Sequence, residues 1–365
     1  MKYFLKSNTH NIHELGPNDI GAYNLKSRGS IHGGWKMEIR FLDASDVRQS
    51  LPMVLAIEAM KDAFAQLSMG KATVPMRSHI EVKRQDGIIL FMPALLHESQ
   101  DLAIKIVSVF PKNIERDQPT INALVIAIDT TTGMPKAVME GASLTAIRTG
   151  AASGAATDLL AREDATIVAI FGSGVQARTQ LEAVCTIRKI QEVRIYSLDK
   201  PGARTFVEEM AGIGPIPKNI QIVNTPKDAI IKADIICTAT TSSTPVFNGK
   251  DLEPGTHINA IGSFTPEMQE LDIETVVNSL VVVDSREAAL IEAGDLIIPI
   301  EKGVINPEWI YAEVGELVRS VKPGRTNPDQ ITLFKSVGVA VQDAISASLA
   351  LARAEEIGLG KTLRL

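Results

Sequence analysis

One stretch, residues 166–183, constrains the fold of this chain more than any other. It opens with the apolar run Ile167–Phe171, which is typical of a buried parallel strand. The strand ends in Gly-Ser-Gly-Val-Gln-Ala, the G-x-G-x-x-A form of a dinucleotide-binding turn, and a helix is predicted to follow. In such a turn the first glycine permits the sharp bend, and the second lets the backbone approach a pyrophosphate at the helix N-terminus. Dinucleotide contacts are therefore predicted for Gly172, Ser173, Gly174, Val175, Gln176 and Ala177.

Strands and helices alternate beyond this turn. Apolar strands are predicted at 193–197, 220–223, 234–239, 257–262 and 279–284. With the helical runs between them, they predict an α/β fold built on a doubly wound parallel sheet. Because ligands of such sheets lie at the carboxyl ends of the strands, we expect further cofactor contacts at the later strand ends. These contacts are predicted for Thr238, Thr240, Ala260, Ile261 and Gly262.

The end of the second predicted strand bears on the choice between NAD and NADP. A carboxylate at this point would bind the ribose 2′-hydroxyl, whereas a cation would accommodate a 2′-phosphate. Ser197 stands at the usual acidic position, Lys200 follows, and Asp199 could turn inward as the acid. The alternative is a solvated turn without ribose contact. Ser197, Asp199 and Lys200 are predicted cofactor contacts, and the segment favours NADP over NAD.

Two domains are expected from the length of 365 residues. Residues 37–145 combine a helix with several strands joined by short turns, which predicts an antiparallel or mixed sheet of α+β type. Residues 331–351 are predicted to form one apolar helix that returns to this first domain. Residues 1–36 are polar and without sustained periodicity. Either they form a loose extension or the natural chain starts at Met37, and we favour the second.

Net charge and cysteine content disfavour several classes of partner. A net charge of −6 and an isoelectric point near 5.6 argue against nucleic acid or an anionic membrane. No apolar run approaches membrane-spanning length, and the N-terminus lacks the apolar core of a signal peptide. Cys185 and Cys237 lack metal-ligand spacing. We therefore expect a cytoplasmic protein without structural disulfides and without a bound metal.

Several ordered motifs resemble those of the ornithine cyclodeaminase/mu-crystallin family, from about Met37 to the C-terminus. Besides the glycine turn they are AIKIV at 103–107, FPKN at 110–113, LTAIRT at 144–149, NAIGS at 259–263, EAGD at 292–295 and LFKSVG at 333–338. The resemblance implies a Rossmann domain of residues 146–330 that binds NAD or NADP. It also implies a discontinuous domain, residues 37–145 and 331–365, that binds a small amino or imino acid and forms a homodimer.

Four site residues carry over from the family's motifs. The resemblance implies that Arg77 and Arg148 meet the substrate carboxylate. It also implies that Lys105 lies beside the reacting nitrogen and Thr120 near the nicotinamide. Independently, a guanidinium suits a two-point grip on a carboxylate, and Lys105 interrupts an apolar alternating strand, where burial lowers a lysine pKa into a catalytic range. The alternatives are surface ion pairs for the arginines and an outward-facing, solvated Lys105.

One position departs from the family. Ornithine cyclodeaminase and its alanine dehydrogenase relatives carry an aspartate, the proposed acid/base, where this chain has Phe264. A phenyl ring cannot transfer protons, so hydrolytic loss of ammonia lacks an obvious general base. Reduction of a ready-made cyclic imine requires a hydride donor, a carboxylate-binding group and a cation or donor at the nitrogen. We therefore expect an NAD(P)H-dependent reductase of small cyclic imino acids, of the Δ1-pyrroline-2-carboxylate or ketimine reductase type.

Other functions remain open at this point. Glu267, Glu270 or Asp272 could replace the missing acid and support ornithine cyclodeamination or alanine dehydrogenation. We expect instead that all three are solvated acids in the first turn of a helix. A non-catalytic, crystallin-like nucleotide binder is a further alternative, and the intact arginines and lysine of the motifs argue against it.

Overall fold

Two β-sheets organise the part of the chain that this computed structural model describes, residues 37–75 and 77–365. The strands of the first sheet are β1 (Glu38–Leu42), β2 (Ala72–Thr73), β3 (Ser78–Val82), β4 (Gly87–Leu96), β5 (Asp101–Val109), β6 (Ile121–Ile128), β7 (Pro135–Glu140) and β16 (Lys361–Arg364). The strands of the second sheet are β8 (Ile167–Phe171), β9 (Glu192–Tyr196), β10 (Ile220–Ile222), β11 (Ile235–Thr238), β12 (His257–Ala260), β13 (Ser279–Val283), β14 (Ile310–Glu313) and β15 (Ile331–Lys335). The predicted N-terminal extension, residues 1–36, lies outside the described residues.

Helices connect and cover these sheets. They are α1 (Ala44–Ser50), α2 (Met53–Ser68), α3 (Gly141–Leu160), α4 (Val175–Ile187), α5 (Lys200–Met210), α6 (Pro226–Ile230), α7 (Ile273–Val277), α8 (Arg286–Glu292), α9 (Gly294–Glu301), α10 (Val314–Val318) and α11 (Ala340–Ile357). Helices α2 and α11 pack against each other, and α11 also packs against β4, β5 and β6. The first sheet therefore buries one face against helices, which explains the alternation of its strands.

The first sheet is mixed, as predicted. Its strand order is β16-β1-β7-β6-β5-β4-β2, with β3 also paired to β4. Strands β1 and β7 run parallel, and the hairpin-linked strands from β3 to β7 pair antiparallel. In β5, Ala103 and Lys105 are buried while their chain neighbours are more exposed. Because side chains alternate along a strand, Lys105 points into the helical layer that contains α11.

The second sheet is parallel and doubly wound, which confirms the predicted fold class. Its order is β10-β9-β8-β11-β12-β15-β13-β14. From β8 the chain moves outward through β9 to β10, then returns through β11 to the other side of β8. The glycine turn that follows β8 therefore lies at the point where the strand order reverses. Open α/β sheets bind their ligands at this point.

The prediction of one helix over residues 331–351 is wrong. Residues Ile331–Lys335 form β15, which lies between β12 and β13 in the second sheet, and the helix begins at Ala340. A short apolar run is compatible with a buried strand or a buried helix, so periodicity cannot separate the two. The chain therefore leaves the second sheet through residues 336–339, and this crossing borders the site described below.

Helix α3 links the two sheets. It is rich in alanine and buried on most of its faces, and it packs against both α2 and α4. A Cβ added to Gly150 would lie 2.4 Å from the Thr179 carbonyl oxygen, so the backbones of α3 and α4 almost touch there. This contact fixes the orientation of α3, and with it the direction in which Arg148 points.

Both cysteines are buried and their thiols are free, Cys185 on α4 and Cys237 on β11. Burial raises the pKa of each thiol to about 12, which suppresses the reactive thiolate. Among the helices of residues 37–75 and 77–365, none has both the length and the apolar character required to cross a bilayer.

Candidate functional site

A cleft opens at the glycine turn after β8. Gly172 has φ +99°, and a Cβ there would lie 2.5 Å from the Ala239 carbonyl oxygen, so glycine is required at this position. Gly174 has open space where its Cβ would stand, which leaves its backbone accessible. The cleft has a volume of about 760 Å³, within the range of small-molecule sites. These features fit a dinucleotide whose pyrophosphate lies on the glycine turn.

Apart from Thr120 and Lys200, which do not line the cleft, the predicted cofactor residues divide into two groups. The cleft is lined by Gly172, Ser173, Gly174, Ser197, Asp199 and Thr240. Val175 and Gln176 begin α4 next to this lining. The side chains of Ala177, Thr238 and Ala260 are fully buried, and Ile261 and Gly262 are also buried. The side chains of this buried group therefore do not reach the cleft. They pack beneath it and support the strand ends that form its floor.

The turn after β9 uses its polar groups internally. Ser197 Oγ lies 3.0 Å from Ser173 Oγ, which ties this turn to the glycine turn. Asp199 is the N-cap of α5 and accepts a hydrogen bond from the Gly202 amide at 3.0 Å. Lys200 Nζ lies 5.2 Å from the Tyr196 ring centroid and contacts the Val223 carbonyl oxygen at 3.4 Å. The Asp199 carboxylate is therefore already engaged by the helix that follows it.

Three cations from distant parts of the sequence, Arg77, Lys105 and Arg148, form a group that we call the cation cluster. Lys105 on β5 is 3% exposed, and its Nζ lies 2.6 Å from Oδ2 of Asp343 on α11. Arg148 on α3 donates from Nε to the other oxygen, Oδ1, at 3.1 Å. Its Nη1 donates to Gln342 Oε1 at 2.9 Å. One buried carboxylate, Asp343, therefore holds two of the predicted substrate residues side by side.

The environment of Lys105 changes its proton affinity. Burial lowers the pKa of Lys105 to about 8, while Asp343 opposes this shift and the positive charges of Arg148 and Arg77 reinforce it. An ammonium with such a pKa can act as a proton donor near neutral pH. Sequence analysis expected a buried, chemically useful lysine but had no signal for Asp343.

Arg77 completes the cluster from the segment that precedes β3. Its Nη2 donates to Glu292 Oε2 at 2.7 Å and to the Gly338 carbonyl oxygen at 3.5 Å. Gly338 has φ +85°, and a Cβ there would lie 2.7 Å from Arg148 Nη1. The chain between β15 and α11 thus passes between the two arginines. Arg148 is buried, unlike the surface ion pair that was the alternative, whereas Arg77 forms a partly exposed ion pair with Glu292.

Residues 336–339, between β15 and α11, connect the cation cluster to the second sheet. The Ser336 amide donates to the Ala260 carbonyl oxygen at 3.1 Å, at the carboxyl end of β12. Asp284 Oδ2, at the end of β13, accepts from Ser336 Oγ and from the Gly338 amide. Burial raises the pKa of Asp284. The cation cluster therefore borders the edge of the parallel sheet at which the glycine turn lies.

Thr120 is not part of this group. It immediately precedes β6, and its carbonyl oxygen accepts from the Phe110 amide at 2.7 Å. Lys105 pairs with Val125 in β6, five residues further along. At the rise of an extended strand this separates Thr120 from Lys105 by about 16 Å.

Glu270 holds the strand ends together, a role that sequence analysis missed. Its Oε1 accepts from the amide and the hydroxyl of Thr240 at 2.6 and 2.8 Å. Its Oε2 accepts from Thr238 Oγ1 at 2.7 Å and from the Gly262 amide at 2.8 Å. Burial raises the pKa of Glu270, and the charge of Lys335 opposes that shift. The expectation that Glu270 is solvated is therefore wrong, because it is fully buried beneath the cleft.

Asp272 and Glu267, the other two acids that could have replaced the one missing at position 264, make no contact with the cation cluster. Asp272 is the N-cap of α7 and also accepts from the Gly249 amide at 2.8 Å. Glu267 is exposed.

Lys335 and Asp295, which sequence analysis did not single out, form a fully buried pair at 3.0 Å. Asp295 also accepts from the amides of Glu270 and Leu271 and so fixes that loop. Within the described residues, no group of three or more His, Cys, Asp or Glu side chains is arranged to hold a metal ion.

Residues 37–357 match the sequence profile of the Ornithine cyclodeaminase/mu-crystallin family. The chain belongs to this family. Among its family relatives, the Delta(1)-pyrroline-2-carboxylate reductase of Bacillus cereus (strain ATCC 10987 / NRS 248) is 39% identical over 323 residues. That match covers 88% of this chain and 98% of the relative.

Solved structures of the family carry the same fold. Delta(1)-pyrroline-2-carboxylate reductase of Thermococcus litoralis, in complex with NADH and L-proline, is 46% identical with a TM-score of 0.84, covering 88% of this chain and 99% of that chain. An archaeal alanine dehydrogenase dimer with bound NAD is 34% identical with a TM-score of 0.82, covering 90% of this chain and 99% of that chain. These two family members bind NADH and NAD, in agreement with the dinucleotide cleft described above.

The family member described here has a phenyl ring at one distinctive position. Phe264 follows β12 and is 49% exposed. The loop around it is held by Ser263, whose Oγ donates to the Met268 carbonyl oxygen at 2.7 Å. The carboxylates nearest in sequence are Glu267, which is exposed, and Glu270, which is bound to backbone amides and hydroxyls. Neither stands in for a free acid at position 264.

Proposed function

We propose that this chain is an NAD(P)H-dependent reductase of small cyclic imino acids, of the Δ1-pyrroline-2-carboxylate or ketimine reductase type. The observation that carries the proposal is the buried Lys105, held by Asp343 between two arginines at the edge of a dinucleotide-binding sheet. The similarity to two Δ1-pyrroline-2-carboxylate reductases supports it.

The cofactor is held by the glycine turn and the strand ends that line the cleft. Amides of the turn and of the first residues of α4 would bind the pyrophosphate. Thr240 and the neighbouring strand ends form another part of the cleft wall. Glu270 supports them through hydrogen bonds from beneath the cleft. A reduced nicotinamide held there would supply the hydride that the imine carbon requires.

The cation cluster binds and protonates the substrate. Arg77 and Arg148 orient the carboxylate, since a guanidinium offers paired donors that match its two oxygens. Lys105 provides the proton that the imine nitrogen needs as the carbon is reduced. Asp343 orients Lys105 and keeps it charged, because it opposes the effect of burial on the lysine pKa. Water need not be activated for this reaction, which is consistent with a phenyl ring at position 264.

A substrate panel tests the proposal. The purified protein is mixed with Δ1-pyrroline-2-carboxylate, its six-membered homologue, L-ornithine or pyruvate plus ammonia, and the absorbance of NADH or NADPH is followed. We expect oxidation of the reduced cofactor with the cyclic imines and formation of the cyclic amino acid. Release of ammonia from L-ornithine without net cofactor change would instead identify a cyclodeaminase. Cofactor binding without turnover of any compound would identify a nucleotide binder.

The pH dependence of imine reduction is a direct readout of Lys105. Since the cation is the proton donor and its pKa is lowered to about 8, kcat/KM is expected to fall as pH rises through about 8. Asp343→Asn removes the group that raises this pKa, so the descending limb should move to lower pH. Profiles of kcat/KM from about pH 6 to 10 check both statements. A flat wild-type profile, or a limb that does not move in Asp343→Asn, contradicts them.

We propose a preference for NADPH over NADH. The Asp199 carboxylate is engaged as a helix cap, Ser197 lines the cleft, and the Lys200 ammonium lies over the ring of Tyr196, the last residue of β9 and part of the cleft wall, next to the position expected for a 2′-phosphate. Lys200→Ala is therefore expected to lower kcat/KM with NADPH about fivefold more than with NADH. Lys218→Ala, a change in a surface loop, is the charge-matched control. Equal losses with both cofactors in Lys200→Ala contradict the preference.

Domain roles and assembly follow the family. We propose that residues 37–145 and the segment from about Ala340 onward bind substrate and form a homodimer. Support comes from the alanine dehydrogenase dimer and from exposed apolar residues on the first sheet, Ile80, Ile121 and Leu124. A cytoplasmic location remains a prediction from the sequence.

A further inference from the structure

A group of three buried charges lies beneath the dinucleotide cleft, and the proposed reaction does not use it. Lys335, the last residue of β15, is fully buried, and its Nζ lies 3.0 Å from Asp295 Oδ2. Glu270 is the third member, because the charge of Lys335 acts on its carboxyl group and opposes the effect of burial on its pKa. Two buried acids therefore share this cation where water screens little. We call these three residues the buried charge group.

The buried charge group lies at the edge of the parallel sheet that carries the cleft. Lys335 pairs with Ala260, the last residue of β12. Asp295, in the first turn of α9, accepts a hydrogen bond from the Glu270 amide at 2.7 Å. The group therefore joins three segments beneath the cleft: the end of β15, the start of α9 and the loop that precedes α7.

The contacts of Glu270 require its carboxylate form. It accepts hydrogen bonds from the amides of Thr240 and Gly262 and from the hydroxyls of Thr238 and Thr240. A protonated carboxyl has less acceptor capacity and would turn its own O–H towards one of these donors. The carboxyl cannot swing away, because a Cβ on Gly262 would lie only 2.4 Å from Glu270 Oε1. Protonation would therefore disturb the strand ends, including Thr240 in the cleft wall.

The other charges around Glu270 favour its neutral form. Asp295 on α9 raises the pKa of Glu270, in the same direction as burial. Asp284, at the end of β13, is a further buried acid at this edge, and it accepts hydrogen bonds from residues 336–338. The ends of β11 and β12 contribute uncharged hydroxyls and amides to Glu270. Lys335 is the cation that opposes burial and Asp295.

We propose that Lys335 is a positioning residue for the cofactor: it keeps the Glu270 carboxylate charged and so holds the ends of β11 and β12 in the form that binds the dinucleotide. Lys335 is fully buried and does not line the cleft, so it acts through Glu270. The inference rests on the proposed function, because it takes the cleft as the dinucleotide site. It goes beyond that function by making cofactor affinity depend on a charge beneath the cleft.

The pH dependence of NAD⁺ binding to Lys335→Met, measured by calorimetry, tests the inference. In the wild type we expect Kd to change by less than about twofold between pH 6 and pH 8. Without the cation, Glu270 should take up a proton near neutral pH. The Kd of Lys335→Met should therefore be about tenfold higher at pH 6 than at pH 8. Adding Glu270→Gln removes the titrating group and should make the Kd of the double variant independent of pH.

Two further variants separate this role from a structural one. Lys302→Met removes an exposed cation immediately after α9 and should behave like the wild type. Asp295→Asn breaks the ion pair but leaves Lys335 opposite Glu270, so its Kd should stay independent of pH and within about threefold of the wild type. If the ion pair were only a structural cross-link, Asp295→Asn and Lys335→Met would weaken binding alike at every pH. That result overturns the inference, as does a pH dependence that persists after Glu270→Gln.

Urea unfolding without cofactor tests the charge of Glu270 separately from dinucleotide binding. In Lys335→Met the folded pKa of Glu270 should lie further above its unfolded value, so the folded state holds an extra proton at the lower pH. Relative to the wild type, Lys335→Met should therefore be less destabilised at about pH 6 than at about pH 8, opposite in direction to its NAD⁺ affinity. Equal destabilisation at both pH values overturns the inference.

The two measurements also distinguish failure of the inference from failure of the proposed function. A wild type that binds no NAD⁺ would contradict the proposed cofactor site, while the unfolding curves would still decide whether Lys335 keeps Glu270 charged. If Lys335→Met does not fold, Lys335→Gln takes its place, because it keeps a donor towards Asp295 without the charge. A loss of more than about tenfold in NAD⁺ affinity in Asp295→Asn overturns the inference independently of both variants.

Discussion

Lys105→Met is expected to lower kcat for imine reduction by about 10³-fold, within the range for loss of a general acid. Methionine keeps the length and apolar stem of the side chain but cannot donate a proton. The fold should persist, because Asp343 keeps its contact with Arg148 at 3.1 Å and so is not left as an unpaired buried charge. Single-turnover absorbance of the reduced cofactor measures the loss, and cofactor fluorescence measures whether binding survives.

Lys136→Met is the matched control for this substitution. Lys136 is exposed on β7 of the same sheet, so removing its charge should change kcat by less than about twofold. Retained cofactor binding with lost turnover in Lys105→Met would locate the defect in the chemical step. A Lys105→Met enzyme whose kcat stays within tenfold of the wild type would contradict the assignment of Lys105 as the proton donor.

Glu270→Gln is expected to reduce the free energy of unfolding by about 3 kcal/mol. The carboxylate accepts four hydrogen bonds, from the Thr240 amide and hydroxyl, Thr238 Oγ1 and the Gly262 amide. A glutamine would turn an NH₂ group towards donors on one side and would leave the nearby Lys335 with one fewer compensating charge. Urea unfolding followed by circular dichroism measures the shift. Because Thr240 lines the cleft, we also expect weaker dinucleotide binding.

Glu267→Gln controls for the loss of a charge from the same loop. Glu267 is exposed, and surface substitutions of this kind change stability by less than about 0.5 kcal/mol. If the two variants unfold at the same urea concentration, Glu270 does not hold the strand ends as its hydrogen bonds indicate.

Local sequence patterns were sufficient to predict most strands of the second sheet. The six strands predicted from Ile167–Phe171 through 279–284 are confirmed, and the glycine turn lies in the predicted strand-to-helix context. Strand β15 was assigned to a helix because a five-residue, largely apolar segment ahead of an alanine-rich run has no decisive period. Strand β16 was missed because it is short and exposed along its whole length.

The sequence was sufficient to predict the three cations of the candidate site, but not the acidic residues that bind them. Arg77, Lys105 and Arg148 were identified from motifs, and Lys105 also from its position in an apolar strand. Asp343 and Glu270 sit in ordinary helical or loop sequence, where an acidic residue is usually solvated, and the EAGD motif that contains Glu292 gave no indication of its partner. Apart from Gly262, which is 8 residues from Glu270, their partners are 30 to 238 residues away in the chain, so no local pattern connects them.

The amino-acid sequence therefore carries the information that depends on neighbours along the chain: strand and helix periods, the glycine turn, and an odd lysine among apolar residues. Burial and ion pairing depend instead on which segments meet in space. Only the folded chain brings α11 under β5, sets the loop after β15 between two arginines, and buries Glu270 beneath the cleft. Because the dielectric around a charge and the distance to its partner set its pKa, the chemistry of Lys105 is a property of the tertiary structure.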